Sequence, residues 1–349
     1  MERATIADVA KAAGVSVSTA SRALRGTGRV SQSTRERVAA EAERLRFMFS
    51  KSAASLASGR TMRVALLLPN EISRWFNSHV FEGVYEELAS RDYDVVPYVI
   101  WDERDLDAFL RELPGNRNVD AVIVCSFDMN EAQSEALAAF SLPVVGVNTP
   151  SDRGYDATVR IDDAAAMLDA VRLLKSLGHK RLAYVTKPLS PSPFVSSGDV
   201  RVAGFRQAAR ICGYDEADVT VIPPLKAESM SRPQDVYSGI AARLVSAPEP
   251  PTGICVSADF AAMLLLKELR RLGRRVPQAI SVIGFDDDDT AIASDLTTLH
   301  QSPTELGREA AQLALALMDG KTPAQPYVMM PTSLVLRDTT AAVDAVVGI

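Results

Sequence analysis

Cysteine and histidine are scarce in this chain, three of each in 349 residues. Cys125, Cys212 and Cys255 are an odd, scattered set in apolar or helical surroundings. Such a set fits reduced, buried thiols better than a disulfide framework or a zinc site. His79, His179 and His300 are far apart, with no cysteines or carboxylates clustered at ligand spacing, so neither a metal site nor a cofactor is expected. No nucleophile elbow or other catalytic constellation is present, and the chain is not expected to be an enzyme. Long apolar runs are missing too. Stretches such as 64–68 are far too short to cross a bilayer, and the opening residues are charged and polar, so no membrane partner and a cytoplasmic location are expected. Gly320-Lys321-Thr322 looks like the end of a phosphate-binding loop, but Leu315 stands where the earlier glycine is needed and a proline follows, which makes a helix-ending turn the better reading. Gly26-Thr27-Gly28 follows a helical pattern rather than a strand, which disfavours dinucleotide binding.

What is present is concentrated at the start. Residues 5–24 read as two short helices joined by a glycine turn. Thr5 with Asp8 forms a capping-box pattern, and Ile6, Val9, Ala10 and Ala13 follow helical spacing up to Gly14. Ser16 can cap a second helix whose inward stripe is Thr19, Ala20, Ala23 and Leu24, leaving Val17, Ser18, Ser21 and Arg22 on the other side. Arginine can bind guanine O6 and N7 as a fork, serines can reach bases or phosphates, and valine can touch a thymine methyl. Amphipathic helix pairs also occur in domains that never meet nucleic acid, so charge has to decide. Residues 1–60 hold eleven Lys and Arg against five acids, a net charge of +6, while the remainder carries 27 against 39, a net of −12. A basic head on an acidic body points to a polyanion-binding module attached to something with another task.

A third helical pattern follows Ser31, with Val38, Ala42 and Leu45 on one face. Residues 50–60 are rich in small side chains and too short for a stable helix on their own. This segment is either a hinge that orders on DNA, with Leu56 as a minor-groove wedge, or a plain linker. From 62 onward, apolar runs at 64–69, 95–99, 121–125 and 144–147 alternate with helical stretches near 81–91, 102–113 and 130–140. A second series has runs at 159–161, 182–186, 219–222, 254–257 and 282–285, separated by helices near 164–177, 202–212 and 260–272. Near-continuous Val, Leu and Ile runs are what strands covered on both faces require, so two parallel-sheet lobes in tandem are expected. Ligands of open α/β sheets bind beyond the carboxyl ends of strands. The polar residues there are Glu71, Ser73, Ser126, Asp128, Asn148, Thr186, Asp259 and Asp286, with Trp75 and Phe76 as an apolar platform or as core packing. The acidic run 286–289 reads as a solvated turn with only Asp286 facing the cleft.

In these motifs the chain resembles the lactose/galactose repressor family of bacterial transcription regulators over essentially its whole length. The head carries most of the resemblance. It is joined by Gly28-Arg29-Val30-Ser31, Thr34-Arg35-Glu36-Arg37-Val38, Leu177-Gly178-His179-Lys180-Arg181, Arg201-Val202-Ala203-Gly204-Phe205, Val276-Pro277, the stretch Ser281-Val282-Ile283-Gly284-Phe285-Asp286-Asp287, and Leu296-Thr297-Thr298-Leu299. The resemblance implies an all-α helix-turn-helix head plus an α/β core of two parallel-sheet lobes like those of periplasmic binding proteins. It implies a DNA-binding domain at 1–49, a hinge at 50–60 and an effector-binding and dimerisation core at 61–349. Lobe 1 would be about 61–160 plus 292–322, and lobe 2 about 161–291 plus 323–340. The partners implied are double-stranded operator DNA, a small-molecule effector, most simply a carbohydrate, and a second copy of the chain. Val17, Ser18 and Arg22 would read bases and Leu56 would be the wedge, within a DNA-contacting set of Thr5, Ser16, Val17, Ser18, Thr19, Ser21, Arg22, Arg29, Ala53, Leu56 and Ala57. Arg201 and Asp286 would be polar effector ligands, with Ser73, Trp75, Phe76, Asp128, Asn148 and Asp259 at other cleft positions. The tail after Arg337 is too short for a multi-heptad coiled coil, which favours a dimer over a zipper-bonded tetramer.

Three departures from the family pattern bear on these expectations. The segment Phe47-Met48-Phe49-Ser50 lacks the usual proline and asparagine before the hinge. Asn77 stands where a second phenylalanine is common, with Trp75 near a usual proline, and Ala258 stands where asparagine normally precedes the aspartate. An effector unlike the common hexoses is one consequence; the effector is expected to release the operator as an inducer does, the alternative being a corepressor-dependent regulator that senses a non-sugar metabolite. A solute-binding transport component, or an α/β enzyme with an appended DNA-binding head, are the other classes such lobes permit; the basic head disfavours the first, and turnover assays would decide the second.

Overall fold

A helix pair this short can hold together only if its caps and turn are right, and in the computed structural model they are. The structure describes residues 4–24, 28–47, 60–116, 118–186, 194–223 and 233–343. The chain divides into two units, Met1–Met62 and Arg63–Ile349.

In the first unit, the Thr5 hydroxyl accepts the Asp8 N–H and the Asp8 carboxylate accepts the Thr5 N–H at 2.8 Å, opening α1 (Ile6–Ala12) with a complete capping box. Gly14 takes the left-handed turn at φ +65°, and the Ser16 hydroxyl accepts the Thr19 N–H at 3.1 Å to start α2 (Val17–Leu24). Ser31 caps α3 (Gln32–Arg44) in the same way. Val9, Ala10, Ala13, Ala20, Ala23, Val38 and Ala42 form the buried seam of the three helices. Five of those seven side chains are alanines, which lets the helix backbones approach closely. The hinge segment 50–59 lies outside the described residues.

The second unit holds two six-stranded sheets. The first uses β1 (Arg63–Pro69), β2 (Asp94–Ile100), β3 (Ala121–Cys125), β4 (Val144–Val147), β5 (Ala157–Ile161) and β11 (Tyr327–Met330), in the order β11-β5-β4-β3-β1-β2 and parallel throughout. The central strands β3 and β4 are buried along their length, as a sheet covered on both faces demands. Pro97, which cannot donate a ladder hydrogen bond, sits on the edge strand β2. Its helices are α4 (Trp75–Ala89), α5 (Glu103–Asn116) and α6 (Glu131–Ala138), with α12 (Pro303–Met318) packed along α4. Gly83 and Gly307 make that contact possible, since a Cβ at either would lie 1.9 Å from the Thr304 carbonyl oxygen or 2.3 Å from that of Val80. Helix α4 begins six residues before the expected 81, because Trp75 and Phe76 belong to its first turn.

The second sheet uses β6 (Leu182–Val185), β7 (Val219–Ile222), β8 (Gly253–Val256), β9 (Ser281–Asp286), β10 (Thr297–His300) and β12 (Ser333–Val335), in the order β12-β10-β9-β8-β6-β7. All pairs are parallel except β12 with β10. Covering it are α7 (Asp163–Ser176), α8 (Ser197–Ile211), α9 (Pro233–Val245) and α10 (Asp259–Arg271), with the short α11 (Asp289–Ala293) after β9.

The lobe boundaries correct the sequence expectation at two places. Residues 297–300 pair with β9 and belong to the second sheet, although 292–322 reads as lobe 1. Residues 327–330 pair with β5 and belong to the first, although 323–340 reads as lobe 2. The chain therefore crosses between sheets at 161–163, 300–303 and 330–333. The physical reason is pairing: Thr298 lies buried beside β9 and donates its hydroxyl to Asp259 at 2.6 Å, which a place in the other lobe would forfeit. Cys125 and Cys255 are buried with thiols pushed up to about 12 by burial, and Cys212 is half-buried at the end of α8; all three are free. Among the described residues, no helix is long and apolar enough to cross a membrane and no group of His, Cys, Asp and Glu could hold a metal ion.

Candidate functional site

In the head, the Ala20 and Ala23 side of α2 is buried, which turns the opposite side to solvent. Val17 is 47% exposed, an unusual position for a valine with a helix seam available to it. Ser18 and Arg22 are exposed and Ser21 is half-buried beside them. Arg22 donates Nε to the Ser18 carbonyl at 3.2 Å. Thr5, Ser16 and Arg29 are exposed. Ser16 and Thr19 also have local work: their hydroxyls lie 2.8 Å apart at the start of the helix. Ala53, Leu56 and Ala57 lie outside the described residues.

In the core, polar side chains gather at the carboxyl ends of the strands, as parallel sheets dictate. Arg201 projects from α8 and is 4% exposed. It donates Nε to Asp163 Oδ1 at 2.7 Å and Nη1 to the Ser257 carbonyl at 3.2 Å, and Nη1 lies 3.8 Å from Asp286 Oδ1. Its guanidinium stacks 3.6 Å above the centroid of Phe285. Asp286 closes β9 at φ +119°, a conformation rare for any residue but glycine, and Gln301 Nε2 donates to its Oδ1 at 2.7 Å. Burial pushes the Asp163 carboxyl above the usual range while Arg201 pulls it back. Four buried polar atoms around this end of the sheets have no partner among the described residues: Asn148 Nδ2, Tyr184 Oη, Ser257 Oγ and Gln301 Oε1. Such atoms cost free energy unless something hydrogen-bonds to them, and a polar ligand is what strand ends are built to hold.

The structure brings together Arg201 and Asp286, two of the residues expected in the cleft. Asn148 is buried after β4 at φ +49°, with Oδ1 accepting the Ile161 N–H at 3.3 Å and Nδ2 left over. Asp128 is half-buried, accepts the Ser151 N–H at 3.3 Å, and burial raises its carboxyl pKa. Its N–H donates to the Val195 carbonyl at 3.1 Å, next to a Phe127–Ser196 bridge, so the segment just after β3 touches the one that leads into α8 of the other lobe. Ser73 is exposed at the start of the α4 loop, and Trp75 and Phe76 are half-buried in the first turn. The Trp75 ring lies against that of His79, centroids 4.9 Å apart and the planes tilted by 41°.

Asp259 is different. It has no exposed surface, and both oxygens are engaged within the second lobe, Oδ1 by the Thr298 hydroxyl and Oδ2 by the Asp288 N–H at 3.0 Å. It braces the β9–α11 turn from beneath, and burial together with neighbouring Asp286 pushes its carboxyl up to about 8. The acidic run is also less solvated than it reads. Asp287 pairs with Arg337 at 2.6 Å and His300 at 3.1 Å, and the buried Asp288 caps α11. Asn77 is buried and donates to the carbonyls of Glu71 at 3.0 Å and Pro69 at 3.3 Å, holding the loop rather than facing a ligand.

Sequence reasoning missed Asp163, Ser257 and Gln301. Each follows a strand within two residues, the signal that found Asn148, but Asp163 reads equally well as an acid in the first turn of α7. A groove lined by Ser134, Pro143, Tyr155 and Leu317 lies at the amino ends of β4 and β5, away from these charged groups.

Residues 5–48 match the bacterial regulatory proteins, lacI family, and residues 171–340 match the periplasmic binding protein-like domain. The chain is 28% identical over 345 residues to the HTH-type transcriptional repressor CytR of Escherichia coli (strain K12), covering 97% of both. It is 28% identical to catabolite control protein A of Priestia megaterium, covering 96% of this chain and 99% of that one. Among solved structures, it is similar to a transcriptional regulator CelR–cellobiose complex at 25% identity and a TM-score of 0.66, covering 97% of this chain and all of that one. It also superposes on the lac repressor dimer bound to operator and the anti-inducer ONPF, with a TM-score of 0.81, 23% identity and coverage of 98% and 100%, which speaks to fold.

Proposed function

Given that the chain belongs to the lacI family of bacterial regulatory proteins, we propose that it is a ligand-responsive transcriptional repressor. It binds a palindromic operator in double-stranded DNA as a homodimer, one α2 in each major-groove half-site, and a small molecule held in the core releases it. The observation that carries this reading is the exposed row of Val17, Ser18 and Arg22 on a helix whose other side is sealed by alanines. With Nε held by its own helix, Arg22 has two terminal nitrogens left for guanine O6 and N7, a contact worth about 1–3 kcal/mol of discrimination.

The effector is a polar molecule rich in hydroxyls, in the first place a sugar or sugar derivative. Arg201 offers forked donors, Asp286 and Gln301 acceptors, and Asn148 a free amide N–H, a set that matches adjacent hydroxyls. Ala258 removes the amide usual beside Asp259, which leaves room for a ligand other than a common hexose. The core acts by differential binding rather than by turnover: a ligand that prefers one arrangement of the lobes shifts the balance of DNA-binding states by no more than that preference. The DNA partner places the working protein in the cytoplasm.

The test is selection from a randomised duplex library by the purified full chain, followed by footprinting of the enriched sequence. A palindrome is expected, and its protection should weaken when sugars or nucleosides are titrated in. Failure to enrich any sequence would sink the reading.

A further inference from the structure

Base reading by a single arginine depends on where its flexible stem is held, and in this head the stem has a built support. After α2 the loop returns through Gly28 at φ +69° and Val30 to α3. Arg35, on the first turns of α3, donates Nη2 to the Gly28 carbonyl at 3.1 Å and Nε to the Val30 carbonyl at 3.3 Å. One guanidinium therefore pins two loop carbonyls to a thirteen-residue helix that is itself fixed by buried Val38 and Ala42. The pinned residue, Gly28, lies against Arg22: a Cβ at position 28 would sit 3.1 Å from Arg22 Cδ and 3.8 Å from its Cγ. On the far side, Arg22 Nε is anchored to the Ser18 carbonyl. Arg22 is thus held at its stem by a bare glycine and at its Nε by its own helix.

We propose that Gly28 and Arg35 are positioning residues for base recognition: Arg35 fixes Gly28 against the stem of Arg22, so that the two terminal nitrogens of Arg22 are aimed before DNA arrives. The inference rests on the DNA-reading role of α2 given above. Ordering a long side chain on binding costs conformational entropy, and a side chain already held gives up less. Any side chain at 28 displaces the stem by a few tenths of an ångström, enough to misalign a two-point contact. The support acts through Arg22 alone, so its loss should blur one base pair per half-site and leave the others untouched.

The experiment uses the full-length protein and the same randomised-duplex selection. Gly28→Asn is the informative variant, because asparagine tolerates the left-handed backbone while adding the Cβ. Arg22→Ala first identifies which symmetric base pair loses its preference. Gly28→Asn is expected to flatten that same pair, lowering selected-over-random affinity about fivefold, a fraction of a full bidentate contact. Arg35→Gln should do the same, with partial recovery in Arg35→Lys. In the Arg22→Ala background, Gly28→Asn should then change the selectivity no further, the non-additivity of two residues acting as one unit. An unchanged sequence preference in Gly28→Asn overturns the proposal. So does uniform weakening at every position, or an effect that adds to that of Arg22→Ala, since either makes the loop a general support of the fold. A wild-type chain that enriches nothing removes the DNA-reading assignment and this inference with it, which is a different result from an enriched wild type and an indifferent variant.

Discussion

Arg201 donates Nε to Asp163 Oδ1 at 2.7 Å, and the two side chains are 4% and 6% exposed. The pair joins α8 to the first turn of α7, just after the chain has crossed from the first sheet to the second. With Asp286 3.8 Å from the same guanidinium, two carboxylates face one cation. A ligand entering this cluster meets a local excess of negative charge, which favours neutral hydroxyl donors over phosphates. The orphaned Ser257, Gln301 and Asn148 atoms surround the arrangement with further single hydrogen-bonding sites.

Arg201→Ala leaves Asp163 buried without its counter-ion. Removing one partner of a buried pair costs about 3–5 kcal/mol, so thermal unfolding of the core should shift clearly downward. Below the new melting point, binding to the selected duplex should persist while release by any active ligand is lost. A variant still released at the wild-type ligand concentration would remove Arg201 from the effector site.

The parts of the molecule legible in sequence are those fixed by local chemistry or by continuous burial. Thr5 with Asp8, and Ser16 with Thr19, satisfy helix ends with atoms three residues apart, so their pattern survives without tertiary information. Strands β3, β4 and β7 fall at the boundaries their apolar runs predict, because both faces of β3 and β4 are covered and the runs end where the cover ends. Residues 297–300 and 327–330 were assignable to a lobe only through their partners, β9 and β5, which lie far away in sequence. Asp259 and Asp286 look alike as acids at strand and helix ends. Only packing shows that one is sealed beneath Gly284, where a Cβ would lie 2.0 Å from its Oδ1, while the other reaches Arg201.

Phe194 belongs by sequence to the second lobe, yet it packs into the apolar core of the first, its ring 4.8 Å from Phe127. Phe194→Ala should cost about 3 kcal/mol of core stability, at the lower end for a buried phenylalanine because it is at the rim. It should also loosen the two lobes, read as a larger radius of gyration in small-angle scattering without ligand. An unchanged radius would show that the neighbouring Asp128–Val195 and Phe127–Ser196 backbone contacts hold the lobes without it.

Gly83→Ala tests the contact of α4 with α12. The added methyl would overlap the Thr304 carbonyl at 1.9 Å, with backbone on both sides and no flexible side chain to yield. Overpacking of this kind costs about 1–3 kcal/mol. Urea unfolding should show that loss. The exposed surface of the head should be unaffected, so an isolated loss of DNA binding with full core stability would contradict the packing seen.

The Asp259 carboxyl gives the core a pH dependence that can be separated from its neighbours. Its pKa stands at about 8 in the folded chain because burial and Asp286 both penalise the charge, against 3.8 for the free group. The folded state therefore holds a proton that the unfolded state has released, and stability falls as pH rises toward and through 8. His179 acts in the opposite sense: burial between Thr252 and Ser281 lowers its pKa from 6.5, so its contribution is complete only about a unit above 6.5 and is lost as pH falls from there. Above about pH 7.5 the imidazole is essentially neutral in both states, and between 6.5 and 7.5 its effect has the opposite sign and is small beside that of Asp259, which leaves Asp259 as the group to watch. Between pH 6.5 and 8.5 the wild-type core should lose ~2 kcal/mol of unfolding free energy in urea titrations. Asp259→Asn keeps the volume and an acceptor for the Thr298 hydroxyl but has no proton to release, so whatever its absolute stability, its slope across the same window should be close to flat. Equal slopes in the two proteins would mean that Asp259 stays ionised on folding, held by the two donors on its oxygens rather than neutralised by its surroundings.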